Sequence, residues 1–282
     1  MPGVPTLEHL LKRDRTVTVA GLVILCVLAW LYVVTGAGLG MSARQMTTLA
    51  LFPHQQAQDL MPGMPGMPMD AGRSVWGFTT WALMIGMWWI MMIAMMTPSA
   101  APAILLYARV HRAALAKGQV RDEVAPIGAF AAGYLIVWLG FAVGATALHY
   151  ALERAGLIST MMMESRSRWL SGAVLIAAGL YQLSPLKNVC LAQCRAPAVF
   201  LARHWRPHSA GALRLGAQHG AYCVGCCWML MALLFVGGVM NLVWIAALTA
   251  VVLIEKVLPR GQWIGRSAGV ALAGWGVATL VY

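Results

Sequence analysis

Seven apolar runs divide the sequence, at roughly 17–37, 78–97, 127–151, 169–185, 216–236, 239–257 and 264–281, each bounded by charge or proline. A helix that crosses a bilayer needs about 20 apolar residues. Inside hydrocarbon its backbone groups must be satisfied within the segment, which leaves helices as the form such runs take. The sequence therefore predicts an all-α, polytopic membrane protein of about seven transmembrane helices, a single membrane domain over 1–282. Composition agrees. Of 282 residues, 60% are hydrophobic and 10% charged, against about 25% charged in an ordinary soluble domain. The same figures exclude a disordered chain, a collagen and a small disulfide-stapled secreted protein.

The first run follows Lys12, Arg13 and Arg15. Its length and the lack of a convincing cleavage site read as a retained helix rather than a signal peptide. The second run continues in apolar character to Val110, and a helix over 78–110 would be about 50 Å long at 1.5 Å per residue. Pro98 and Pro102 lie in its second half, where each removes a backbone donor. A broken or kinked helix near Pro98–Pro102 is the expectation, and in membranes such breaks often mark a site.

With the N-terminus in the cytoplasm, the loops on that side carry 15 Lys and Arg against 5 on the other. This bias predicts a bacterial inner-membrane protein with the N-terminus cytoplasmic and the C-terminus extracytoplasmic. It makes 38–76 a Met/Pro/Gly-rich extracytoplasmic loop and 186–215 a basic cytoplasmic loop. The net charge of +11 then belongs to loops that face anionic headgroups of the lipid bilayer. The basic residues are scattered between spans rather than gathered on one face, which argues against nucleic-acid binding.

Five of the six cysteines fall between residues 190 and 227. Cys190 and Cys194 are spaced i, i+4 after the fourth run. GAQHGAYCVGCCWMLM opens the fifth with His219, Cys223, Cys226 and Cys227, a spacing that sets these side chains on one helical stripe. Lone Cys26 reads as a small hydrophobe. Both groups are expected at the cytoplasmic face, where clustered cysteines bind metal or act chemically more often than they form disulfides. Thiolates with an imidazole suit Cu(I), with zinc as the alternative. Close packing of small residues would also use Cys and Gly at such positions.

Methionine is the second soft donor. Met61, Met64, Met67 and Met69 lie in MPGMPGMPM, a segment whose proline and glycine content rules out a helix. Thioethers ligate Cu(I) or Ag(I) and do not suit zinc. In the second run, Met84, Met87, Met91 and Met95 form a stripe, and Met91/Met95 and Met92/Met96 form two Met-x3-Met pairs. That spacing resembles the pore pairs of eukaryotic-type copper importers, although a methionine stripe also serves as adaptable packing.

Other polar residues carry less. His149 is expected as a hydrogen-bonded interfacial histidine, Glu255 as the partner of Lys256 or a group reaching the interface, and His204 and His208 as solvated. His54 is an extra outer ligand candidate, and Asn241 a helix bridge or ligand. No Walker motif, dinucleotide turn, HExxH or Ser/His/Asp set is present, and nothing identifies an enzyme.

The stretches WWIMMIAMMTPSAAPAILLYARVHR, YQLSPLKNVCLAQCRAP and GAQHGAYCVGCCWMLMALLFVGGVMNLVWIAALTAVVLIEKVLP resemble a bacterial family of uncharacterised integral membrane proteins described as predicted metal-binding. The resemblance spans about 78–258 and rests on SPLK-x2-C-x3-C and HG-x-YC-x-GCCW, with Ser184 where threonine is commoner. It implies a polytopic membrane protein with a metal site at Cys190, Cys194, His219, Cys223, Cys226 and Cys227. The residues themselves suggest transport or transfer of Cu(I) from the outer methionine loop, along the second helix, to the inner Cys/His cluster. The expected partner is a copper chaperone or a metalloenzyme, and a three-fold homo-oligomer would place the second helix on an axis. The alternatives are a membrane thiol-disulfide oxidoreductase using Cys223 and Cys226, and a scaffold or assembly partner for a membrane metalloenzyme.

Overall fold

The computed structural model describes residues 7–36, 43–44, 47, 76–120, 125–160, 163–205 and 208–281. Met61, Met64, Met67, Met69 and His54 lie outside these residues. Among the described residues the long elements are all helices: α1 (Leu7–Val34), α2 (Phe78–Ala116), α3 (Ala125–Arg154), α4 (Arg168–Leu183), α5 (Pro185–Arg195), α6 (Pro197–His204), α7 (Ser209–Ala232), α8 (Leu234–Gly237), α9 (Leu242–Val257) and α10 (Gly261–Val281). An isolated bridge between Ile158 and Ser165 ties together the connection from α3 to α4.

Local chemistry fixes the breaks. Ser184 ends α4 and caps α5, its side chain accepting from the Lys187 N–H while Pro185 takes a first-turn position. A hydroxyl cap followed by proline satisfies one orphan donor and removes another. The axis bends by 62° there. Gly238, with φ of 91°, makes the turn between α8 and α9 in a backbone region that L side chains rarely adopt. Asn241 then caps α9 by accepting from the Val243 N–H at 3.1 Å, and its Nδ2 donates to the Gly237 carbonyl at 2.9 Å, so it bridges α8 and α9 as well as capping.

Among the described residues, five segments are long and apolar enough to cross a membrane: Thr16–Val34, Phe78–Ala116, Pro126–Arg154, Ser209–Gly237 and Gly261–Val281. The bent pair α4–α5 would make a sixth. The expected span at 239–257 is where the count of seven falls short. Its helix, α9, has 16 residues, about 24 Å at the standard rise, less than a hydrocarbon core of about 30 Å.

Of the broken or kinked helix expected near Pro98–Pro102, the break also needs correction. α2 runs unbroken through both prolines for 39 residues. Side-chain donors also tie the backbone just before the first proline to its surroundings, as membrane bundles allow. The Met96 carbonyl accepts from Ser99 Oγ at 2.8 Å and from Tyr134 OH at 3.3 Å.

The bundle closes through small residues. α3 lies directly on α7, where a Cβ added to Gly133 would meet the Leu213 carbonyl and one added to Gly216 would meet the Phe130 carbonyl. A second seam joins α4 to α10, with Gly179 against the backbone of Gly269 and Ala273. Such contacts bring backbones within reach of dense van der Waals packing, the main source of helix association in lipid. α1 packs on α2 and keeps Val17, Val23, Ile24, Val27, Leu28 and Leu31 on its outer surface.

Candidate metal centre

Starting the fifth expected span at Ser209 rather than at 216 moves its chemistry inward. In Ser209–Gly237, Cys223 is the central residue, about 21 Å from either end by the helical rise. The cysteine cluster is therefore set at mid-helix, not at the mouth of a span. Its one-stripe geometry holds: His219, Cys223, Cys226 and Cys227 are each no more than 2% exposed.

Four further helices bring polar or soft groups to this stripe. From α2, Met96 places its sulfur 3.8 Å from Cys227 Sγ. From α3, Tyr134 OH lies 3.1 Å from Cys223 Sγ. From α5, the Cys194 thiol interacts with Cys226, and Cys190 lies against Gly225. From α9, Lys256 Nζ donates to Cys223 Sγ at 2.9 Å and to Ser99 Oγ at 3.3 Å. The shortness of α9 is what makes the last contact. It turns back at Gly238 and ends beside the midpoint of α7, which delivers Lys256 to the centre of the bundle.

The thiols hold one another through the backbone. Cys226 and Cys227 both donate to the Cys223 carbonyl, at 3.1 and 2.9 Å. With sulfur turned to that carbonyl and to an ammonium, they do not converge on one centre. Among the described residues no group of three or more His, Cys, Asp or Glu side chains is already set to hold a metal. The donor types nevertheless fit a soft monovalent cation: thiols, the Met96 thioether and His219, whose Nδ1 is buried without a hydrogen-bond partner. Soft sulfur with imidazole is a ligand set that suits Cu(I).

The methionine stripe faces inward along its length. Met84, Met87, Met91, Met92, Met95 and Met96 are each no more than 4% exposed, and Met96 joins the stripe to the cysteines. At the opposite end of α3, His149 is 1% exposed and packs between Trp76 and Phe235, its Nδ1 unpartnered. The expectation of a hydrogen-bonded interfacial residue does not hold for that nitrogen.

A charged cluster adjoins the centre. Lys187 of α5 pairs with Glu255 of α9 at 2.6 Å, and Gln182 of α4 bridges them, donating to Glu255 at 2.8 Å and accepting from Lys187. Glu255 therefore neither pairs with Lys256 nor reaches an interface. Tyr134, Lys256 and this trio are the site residues that sequence reasoning missed. Except for Lys187, which follows the fourth run, their signal was being polar within apolar runs, which in a membrane protein is costly and points to a function or a partner.

A family model described as PpoB2, copper chaperone, matches residues 85–279, a stretch that includes Met96, Tyr134, the five clustered cysteines, His219 and Lys256. No curated protein and no solved structure matches the chain.

Proposed function

Because the chain belongs to the PpoB2 family of copper chaperones, we propose that it is a membrane-embedded carrier that binds Cu(I) and hands it on. The observation that carries this reading is the meeting of Met96, at the end of the buried methionine stripe, with Cys227 in the buried thiol row. Met61, Met64, Met67 and Met69 capture the ion outside. Met84, Met87, Met91, Met92, Met95 and Met96 pass it along α2. Cys194, His219, Cys223, Cys226 and Cys227 receive it, with Cys190 beside them. A thioether, having no proton to lose, releases copper without competition from hydrogen ions, whereas a thiolate holds it more firmly. The order from thioether to thiol thus runs towards tighter binding. An ion bound by two or three ligands remains exchangeable, as a cargo must be.

The test is copper content by elemental mass spectrometry on full-length protein purified anaerobically in detergent. Near-stoichiometric copper, lost when Cys194, Cys223, Cys226 and Cys227 are changed to Ser, is the expected result. Stoichiometric zinc lost from the same variant would instead make the cluster a structural clamp. Protein that stays metal-free after incubation with Cu(I) would defeat the carrier reading.

One observation favours a second reading. A lysine on Cys223 with Cys226 in the next turn is an arrangement that activates a thiol, as a thiol-disulfide oxidoreductase requires. Trapping of a Cys223–Cys226 disulfide in metal-free protein would support it.

A further inference from the structure

The thiol centre is deeply enclosed, and a carrier needs a way out of it. His219, one turn before Cys223 on α7, packs against the ring of Phe200 on α6, their ring centres 5.5 Å apart. The ring of Phe200 lies equally close to His204, at 5.2 Å. Phe200 is fully buried, whereas His204, at the last position of α6, is exposed. One aromatic ring thus separates a buried imidazole at the centre from an imidazole at the surface.

The state of His204 is set by its own helix. Its Nδ1 lies 3.0 Å from the Phe200 carbonyl. A carbonyl only accepts, so Nδ1 carries the hydrogen and donates, and the lone pair of the neutral ring is left on Nε2. A backbone carbonyl on one ring nitrogen that orients the other is the common outer-shell arrangement of metal-binding histidines. The same residue that separates the two histidines, Phe200, supplies this bond.

The geometry points to His204 as the handover ligand: it takes Cu(I) from His219 past the Phe200 ring and presents it to an acceptor at the exposed end of α6. This rests on the carrier reading above and names the exit of that same site. The step is a ligand exchange. A bond from His204 Nε2 to copper forms as the bond from His219 breaks, one imidazole lone pair replacing another. Copper remains Cu(I) throughout, and no electron is transferred. Phe200 serves as the gate, because its ring has to swing aside for the ion to pass.

The experiment loads full-length protein with Cu(I) anaerobically in detergent and mixes it rapidly with bathocuproine disulfonate. Absorbance of the chelator complex gives the transfer rate, and elemental analysis gives the copper bound beforehand. His204→Ala is expected to keep its copper content and transfer at least about tenfold more slowly. His204→Met, which restores a soft donor, is expected to recover most of the rate, and His204→Gln is expected to remain slow. Transfer by His204→Ala at the wild-type rate would overturn the proposal, and so would equal slowing by Ala and Met, which would mark a structural role. The carrier reading fails separately, when wild-type protein takes up no copper, and the handover role falls with it.

Discussion

Lys256 Nζ stands 2.9 Å from Cys223 Sγ, at the middle of a bundle where sulfur, imidazole and the Tyr134 hydroxyl gather. An ammonium ion there supplies the positive charge that a bound metal would otherwise bring. On the carrier reading, cargo and lysine compete for the same sulfur, and the lysine favours release.

Replacing Lys256 with Leu, which removes the charge and adds no soft donor, should tighten Cu(I) binding by about tenfold or more, since unit charges a few Å apart interact by about 4 kcal/mol even at an effective dielectric constant near 20. Competition titration against a Cu(I) chelator reads this directly. Unchanged or weaker binding would leave Lys256 as a structural counterion.

Met96→Leu separates packing from ligation. The swap nearly conserves volume and should cost less than about 1.5 kcal/mol of stability, yet it removes the thioether beside Cys227. Copper loading should fall severalfold while the thermal unfolding temperature moves little. Equal loading of Met96→Leu and wild type would reduce the stripe to core packing.

Lys187 and Glu255 form an ion pair with both side chains no more than 3% exposed. Removing one partner strands the other charge, a loss of about 3–5 kcal/mol, whereas exchanging both for apolar residues of similar size is often tolerated. Glu255→Gln should therefore lower thermal stability sharply in detergent, and Lys187→Met with Glu255→Met should restore much of it. A single variant that melts with the wild type would show that the pair does not brace the bundle.

Gly216→Val should prevent α3 and α7 from docking, because the new side chain begins where the Phe130 carbonyl lies. Overpacking of this kind costs about 1–3 kcal/mol or more, visible as a lower midpoint in thermal unfolding. Gly144→Ala is the control. Its added Cβ meets nothing within 4 Å, and alanine is the better helix former by about 1 kcal/mol.

Much of the helical scaffold could be read from the sequence, because apolar runs of this length have few alternatives in lipid. The one-sided placement of His219, Cys223, Cys226 and Cys227 was legible too, since helical periodicity alone determines it. The role of Lys256 was not. Adjacent to Glu255, it invited pairing with its neighbour, but consecutive helical side chains point about 100° apart and do not face each other. The bond from Tyr134 OH to the Met96 carbonyl was hidden for a related reason: the two residues lie 38 positions apart. Nothing local to SPLK showed that its lysine would find Glu255 on α9.

The adjacency of Glu255 and Lys256 makes the last turn of α9 behave like a camshaft. One side chain is fastened to Lys187 on the bent α5, and the next to Cys223 on α7. Turning α9 far enough to withdraw the ammonium from sulfur also pulls on the carboxylate that anchors α5, the helix that carries Cys194. Clearing the centre of its resident charge and shifting one of its thiols are thereby geared to a single rotation.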